Sequence, residues 1–340
     1  MSSHSVTIKD IARILGISKS TVSRALTEHA DVNPETREAI LALAHKLQYQ
    51  PNAIAVNLKQ QRTKTIGVII PQTANTFFSK AVAGVQRVAN LAGYHVVVCQ
   101  SNENFNTEKN NLNSLIATHV DGLLVSVSRE TETAEHFDTV LKKNIPVVFF
   151  DRICENLETS QVVTDNYSIA FEATQHLIEQ GCQCIASITG PPHLYTSNKR
   201  LEGYKDALLK HSLEFNADYL LYSDYRPGTI EIFTRHLINL KKSPDAIFAI
   251  NDLAAIEMMH IIKKHGLRIP QDIAVLGFNN EKVGQFVDPS LSTIDMPAED
   301  MGATAAELLL QHIQNPQYKP EKRLINSSLI VRDSTRIRGY

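Results

Sequence analysis

Residues Thr7–Leu26 read TIKDIARILGISKSTVSRAL, and this stretch decides the fold of the N-terminal region. Thr7-Ile8-Lys9-Asp10 is a capping-box start, and Ile11, Ala12 and Leu15 form an apolar stripe that Gly16 stops. Ser18 caps a second helix from Lys19 to about Leu26, with Val22 and Leu26 one turn apart on its inner face. Asn33-Pro34-Glu35 opens a third helix by supplying a cap, a proline at the first helical position and an acid in the first turn. Ile40, Leu43, Ala44 and Leu47 then recur at helical spacing. Two helices about a tight glycine turn, closed by a third, make a helix-turn-helix.

Charge points the same way. The 340 residues carry a net charge of −2, which taken whole speaks against nucleic acid. Residues 1–64, however, hold nine Lys/Arg against five Asp/Glu, a net +4, which leaves −6 on the remainder. A basic head on an acidic body suits a polyanion bound through the head alone. The second helix turns Lys19, Ser20, Ser23 and Arg24 away from its apolar face. Arginine can bond guanine O6 and N7 together, and Ser, Thr and Lys can reach base edges or phosphates.

From Thr65 onward, short apolar runs alternate with helical lengths. Expected strands are Ile66–Ile70, His95–Cys99, Gly122–Val127 and Val147–Asp151. A second series then begins with Gln161–Thr164 and continues through Ile185–Thr189, Tyr219–Tyr222, Ala246–Ile250 and Ile273–Phe278. This predicts two doubly wound α/β lobes with parallel sheets, the second an echo of the first. Such sheets bind ligands beyond the carboxyl ends of their strands. The residues there include Pro71 to Phe78, Ser126, Ser128, Asp151-Arg152, Gly190 to Arg200, Ser223-Asp224-Tyr225, Asn251-Asp252 and Asn279-Asn280. Aromatic rings mixed with carboxylate, amide, hydroxyl and guanidinium groups suit a polar ring such as a sugar.

Several classes are disfavoured. No Gly-x-Gly-x-x-Gly fingerprint, Walker loop or Gly-x-Ser-x-Gly elbow occurs, so neither an enzyme, catalytic residues nor a cofactor is expected. The 13 histidines are scattered, and Cys99, Cys154, Cys182 and Cys184 lack zinc spacing, so no metal is expected. The polar Met1–Thr7 segment and the short apolar runs suggest a cytoplasmic protein without a membrane segment. A sugar carrier without DNA function is the alternative that the intact second helix disfavours.

The sequence resembles the LacI/GalR (lactose-repressor) family. The resemblance is carried by Val6–Ala12, Gly16-Ile17-Ser18, Thr21–Leu26, Val32–Arg37, Leu47–Ala53 and Thr63–Gly67. In the body it is carried by Phe77-Phe78, Val120-Asp121-Gly122, Asp151-Arg152, Gly190-Pro191, Arg200–Tyr204, Asn251-Asp252, Pro289–Ile294 and Leu329–Thr335. It implies a helix-turn-helix domain over 1–50, a hinge helix and linker over 51–64, and a periplasmic-binding-protein-like core over 65–340. Lobe 1 would span about 65–164 plus 297–323, and lobe 2 about 165–296 plus 324–340.

By this resemblance the DNA-binding residues are Thr7, Lys19, Ser20, Thr21, Ser23, Arg24, Asn52, Ala55 and Leu58, with Leu58 wedging between central base steps. The effector-binding residues are Phe77, Phe78, Asp151, Thr196, Arg200, Tyr225, Asn251 and Asn279. The implied partners are double-stranded DNA with a pseudo-palindromic operator, a small-molecule effector of carbohydrate type, and a second copy in a homodimer. A protein corepressor or a non-sugar ligand is the alternative controller. The chain departs from the family at Val56, where Arg is frequent, and at Asn279, where Asp is usual. It departs again at Leu194, where purine-binding members place Arg, and this weighs against a purine.

Overall fold

The structure, a computed structural model, describes residues 6–26, 31–49, 62–224, 226 and 228–336. It divides into a unit ending at Thr63 and a unit beginning at Lys64.

The first unit holds α1 (Ile8–Leu15), α2 (Lys19–Leu26) and α3 (Pro34–Lys46). Each start is fixed by a local bond. The Thr7 backbone N–H and hydroxyl both donate to the Asp10 carboxylate, at 3.0 and 2.7 Å. Ser18 Oγ accepts from Thr21 N at 3.0 Å, and Asn33 Oδ1 accepts from Glu35 N at 2.9 Å. Gly16 ends α1 in the left-handed conformation, φ +65°, which disfavours residues with a Cβ. Ile11, Ala12, Val22, Ala25, Ile40 and Ala44 form the buried core. Full burial of Ile11, Val22 and Ile40 contributes about 1.5–3 kcal/mol each before entropy is charged against it. Leu26, expected on the inner face of α2, is only partly buried, and Ala25 takes the inner position. At a helix crossing the smaller side chain permits closer approach.

The second unit contains two six-stranded sheets. In the first, β1 (Thr65–Ile70), β2 (His95–Gln100), β3 (Gly122–Val125), β4 (Val147–Phe150), β5 (Ser160–Thr164) and β11 (Lys322–Ile325) are ordered β11-β5-β4-β3-β1-β2, all parallel. In the second, β6 (Ile185–Thr189), β7 (Leu220–Tyr222), β8 (Ala246–Phe248), β9 (Ala274–Phe278), β10 (Ser292–Asp295) and β12 (Ser328–Ile330) are ordered β12-β10-β9-β8-β6-β7. Only β12 runs antiparallel to its neighbour. Each sheet therefore winds its first five strands in the order 2-1-3-4-5, the doubly wound pattern.

One strand changes series. Ser160–Thr164, expected to open the second series, pairs with β4 and β11 in the first sheet. The chain crosses to the second lobe only after Thr164. It returns after Asp295, through the Ala298–Gln314 helix to β11, and crosses again to β12. The Thr76–Leu91 and Ala298–Gln314 helices meet backbone to backbone. A Cβ on Gly84 would lie 2.0 Å from the Glu299 carbonyl oxygen, and one on Gly302 would lie 1.9 Å from that of Ala81. This close contact packs the two helices together within the first lobe, with Ala81 and Met301 buried in a shared cluster.

Candidate functional site

On the head, Lys19, Ser20 and Arg24 are exposed, and Thr21 and Ser23 are half-buried on the same short helix. Ser18 Oγ lies 2.7 Å from both Ser20 Oγ and Thr21 Oγ1, so the start of α2 is pinned by its own hydroxyls. Thr7 is exposed at the cap of α1. Asn52, Ala55 and Leu58, with most of the expected hinge, lie outside the described residues, as does Tyr225.

In the body, the strand ends converge. Phe77, Phe78, Asp151, Thr196, Arg200, Asn251 and Asn279 line one recess together with Asn75, Arg152 and Ile250. The recess measures about 40 Å³ and opens into a wider cleft of about 340 Å³ through shared Asn75, Arg152, Ile250, Asn251 and Asn279. Together they reach the lower end of the roughly 300–1,000 Å³ usual for small-molecule sites.

Each wall has a local cause. Asn75 caps the Thr76–Leu91 helix by accepting from Phe77 N at 2.9 Å, which sets both phenyl rings just beyond the carboxyl end of β1. The rings meet edge to face, with centroids 5.2 Å apart. Asp151 follows β4 with φ +58°, and Asn279 follows β9 with φ +104°. Left-handed backbone at non-glycine residues is costly and concentrates at functional sites. Asn251 caps the Asp252–Lys264 helix through Oδ1, which accepts from Ala254 N at 2.8 Å. Thr196 sits buried in the first turn of the Tyr195–Lys210 helix.

The charged groups are braced. Arg200 Nε donates to Asn166 Oδ1 at 2.8 Å, and its guanidinium lies 3.6 Å from the centre of the Phe278 ring. Arg152 Nη1 donates to both oxygens of Glu103, at 3.0 and 2.8 Å, and this pair is buried. Burial pushes the Asp151 carboxyl above its usual range, and the Arg152 and Arg200 guanidiniums pull it back. The two guanidiniums are matched by Asp151 in the recess and by Glu103 in the cleft, and the cleft farther out adds Arg226, Glu257 and Glu281. Such a site fits an uncharged ligand rich in hydroxyl groups, with aromatic faces for its C–H surfaces.

Sequence reasoning inspected Asn75 and Arg152 without assigning either, gave Ile250 no role beyond the end of a strand, and passed over Glu103. The Asn75 cap was readable from its position before a helix, but nothing in the pattern marked Glu103. Ser126 and Ser128 are buried and do not line the recess. Ser128 N instead donates to Glu108 at 2.5 Å. Leu194, at the position of the family's purine-binding Arg, is buried in an apolar cluster with Val127 and Ile153.

The signature of the bacterial regulatory proteins of the lacI family matches residues 7–52, and that of the periplasmic binding protein-like domain matches residues 174–335. The ribose operon repressor of Halalkalibacterium halodurans is 33% identical over 335 residues, covering 97% of each chain. This chain belongs to the lacI family of bacterial regulatory proteins. Catabolite control protein A of Priestia megaterium is 31% identical, with 96% of each chain covered. Among solved structures, the Lac repressor dimer bound to operator and the anti-inducer ONPF matches with a TM-score of 0.86 and 27% identity. That match covers 98% of this chain and 99% of the other. The complex of the transcriptional regulator CelR with cellobiose matches with a TM-score of 0.73 and 28% identity, covering 97% and 99%.

The fold is thus a LacI-type helix-turn-helix with a periplasmic-binding-protein-like core, and these named relatives are transcriptional repressors and regulators. No helix among the described residues is long and apolar enough to cross a membrane.

Proposed function

We propose that this lacI-family member is a homodimeric transcriptional repressor whose operator affinity is set by an uncharged sugar or sugar derivative in the recess. The observation that carries this reading is the balanced site itself. Two phenyl rings, three amides, a hydroxyl and the charged groups of Asp151, Arg152 and Arg200 converge in the recess from distant strand ends, and Glu103 pairs with Arg152 from the adjoining cleft. Two copies would present two α2 helices to a pseudo-palindromic operator, with Lys19, Ser20 and Arg24 on bases and Thr21 and Ser23 on the backbone. Thr7, Asn52, Ala55 and Leu58 complete the proposed DNA contacts. The effector favours one arrangement of the lobes, and that preference changes the spacing of the two hinges at the operator.

A thermal-shift screen with neutral mono- and disaccharides, sugar acids, sugar phosphates and nucleobases tests the effector class. A neutral sugar that raises the melting temperature and alters operator binding supports the proposal. A response only to phosphorylated or purine ligands, or only to a phosphorylated partner protein, would replace it.

A further inference from the structure

After β2 the chain turns through Asn102 and Glu103, both left-handed, with φ +55° and +58°. The Cβ of each opposes that conformation, so the surrounding structure must hold it. The turn delivers the Glu103 carboxylate into the interior, 4% exposed. There it accepts from the Arg152 guanidinium in the recess wall and from the Arg129 backbone N–H at 2.8 Å. The adjoining amide, Ser128 N, is taken by Glu108, and the Glu130 carboxylate accepts in return from Asn104 Nδ2 and Phe105 N at 2.8 and 3.1 Å. The loop after β3 is bolted to the turn after β2.

From that loop Arg129 reaches the second lobe twice. Its guanidinium donates to the Asp224 carbonyl, and its own carbonyl lies 2.6 Å from His193 Nε2. Leu194 packs beside Val127 and Ile153, and Lys322 Nζ donates to the Tyr195 hydroxyl at 3.1 Å, so the segment 193–195 docks on the first lobe.

We propose that Glu103 is a positioning residue that ties the recess wall, through Arg152, to the bridge between the lobes, through Arg129. An effector oxygen drawing on the Arg152 guanidinium acts on the carboxylate that fixes Arg129, so occupation of the recess and contact between lobes are linked. The effector half of this statement rests on the function proposed above. The bridge itself requires no ligand.

The test is a pulsed electron–electron distance between spin labels carried by unnatural amino acids at exposed Leu91 and Leu209, one on each lobe. The labelled full chain is diluted into unlabelled chain, so that the distance is intrachain. Wild type should give one short distance, and Arg129→Ala should lengthen it by more than about 2 Å. Glu103→Gln should shift it the same way, and the double variant should go no further than the larger single, because both act on one bridge. The proposal is overturned if wild type already shows the long distance, if neither variant moves it, or if the shifts add. A fall in melting temperature without a distance change also overturns it, since that marks a merely structural residue. Failure of every sugar in the screen would remove the effector reading and leave this distance result standing.

Discussion

The head and the body solve recognition in opposite ways. The head presents most of its proposed base and backbone contacts, Lys19, Ser20, Thr21, Ser23 and Arg24, on one eight-residue helix, Lys19–Leu26, over a core of six buried residues among those described. The body gathers its own inward, from strand ends spread between Phe77 and Asn279, on two large sheets. Local bonds decide the head's geometry, because so small a core supplies little margin. Long-range packing decides the body's, and it can hold residues such as Asp151 and Asn279 in costly backbone. The two regions should therefore respond to different substitutions.

The largest effect is expected at the recess. Arg200→Ala removes a guanidinium that is stacked on Phe278 and bonded to Asn166, and it leaves Asp151 with less compensation. A lost charged hydrogen bond at a desolvated site costs about 3 kcal/mol, roughly 100-fold in affinity. Calorimetry with the sugar found in the screen should show this loss while binding to operator DNA without sugar stays intact. Unchanged sugar affinity would move the site elsewhere.

A comparable effect is expected from the floor beside the recess. Asp252 is fully buried and accepts from Thr293 Oγ1 and Glu281 N, both at 2.6 Å. Burial raises its pKa to about 6, against those two bonds. A carboxyl with a raised folded-state pKa binds its proton more tightly folded than unfolded. Its contribution to stability is then greatest below about pH 4 and falls as pH rises through about 6. The span is about 3 kcal/mol for this group. Urea denaturation of the body at pH 4.5 and 7 should show that component, and Asp252→Asn should flatten it. An equally steep profile in the variant would assign the dependence to other groups.

Much of the head was legible because its signals are local. Thr7 with Asp10, Gly16, Ser18 and Asn33-Pro34 each act within four residues, and all fall where the helices begin or end. The alternation of strands and helices in the body was legible for the same reason. The apolar run of Ser160–Thr164 is compatible with either lobe and misled the pattern reading, whereas the lobe boundary implied by the family resemblance put it in the first, where it pairs with β4 and β11. Glu103 was illegible for a deeper reason. Its role depends on a left-handed turn and on Arg152 and Arg129, which lie 49 and 26 residues away along the chain.

Smaller effects should separate the head from the body. Arg24→Ala should cost about 1–3 kcal/mol in preference for operator over random DNA and leave sugar affinity untouched. Competition gel shifts measure it, and an unaltered preference would remove Arg24 from base reading. Ser18→Ala deletes the cap on Thr21 N and should cost about 1 kcal/mol of head stability. Hydrogen exchange should register it in α2 and leave the sheets unchanged. Equal change in both would mean the two regions do not respond independently.

The central claim is that a molecule in the body sets what the head binds, and reciprocity tests it most directly. The screened sugar is titrated by calorimetry into the protein alone and into the protein saturated with operator, and operator affinity is measured with and without the sugar. Linkage requires the two ratios to be equal, and a coupling of about 1–3 kcal/mol would make each roughly 5- to 150-fold. Sugar affinity that is identical with and without operator would contradict the account, however tightly the sugar binds.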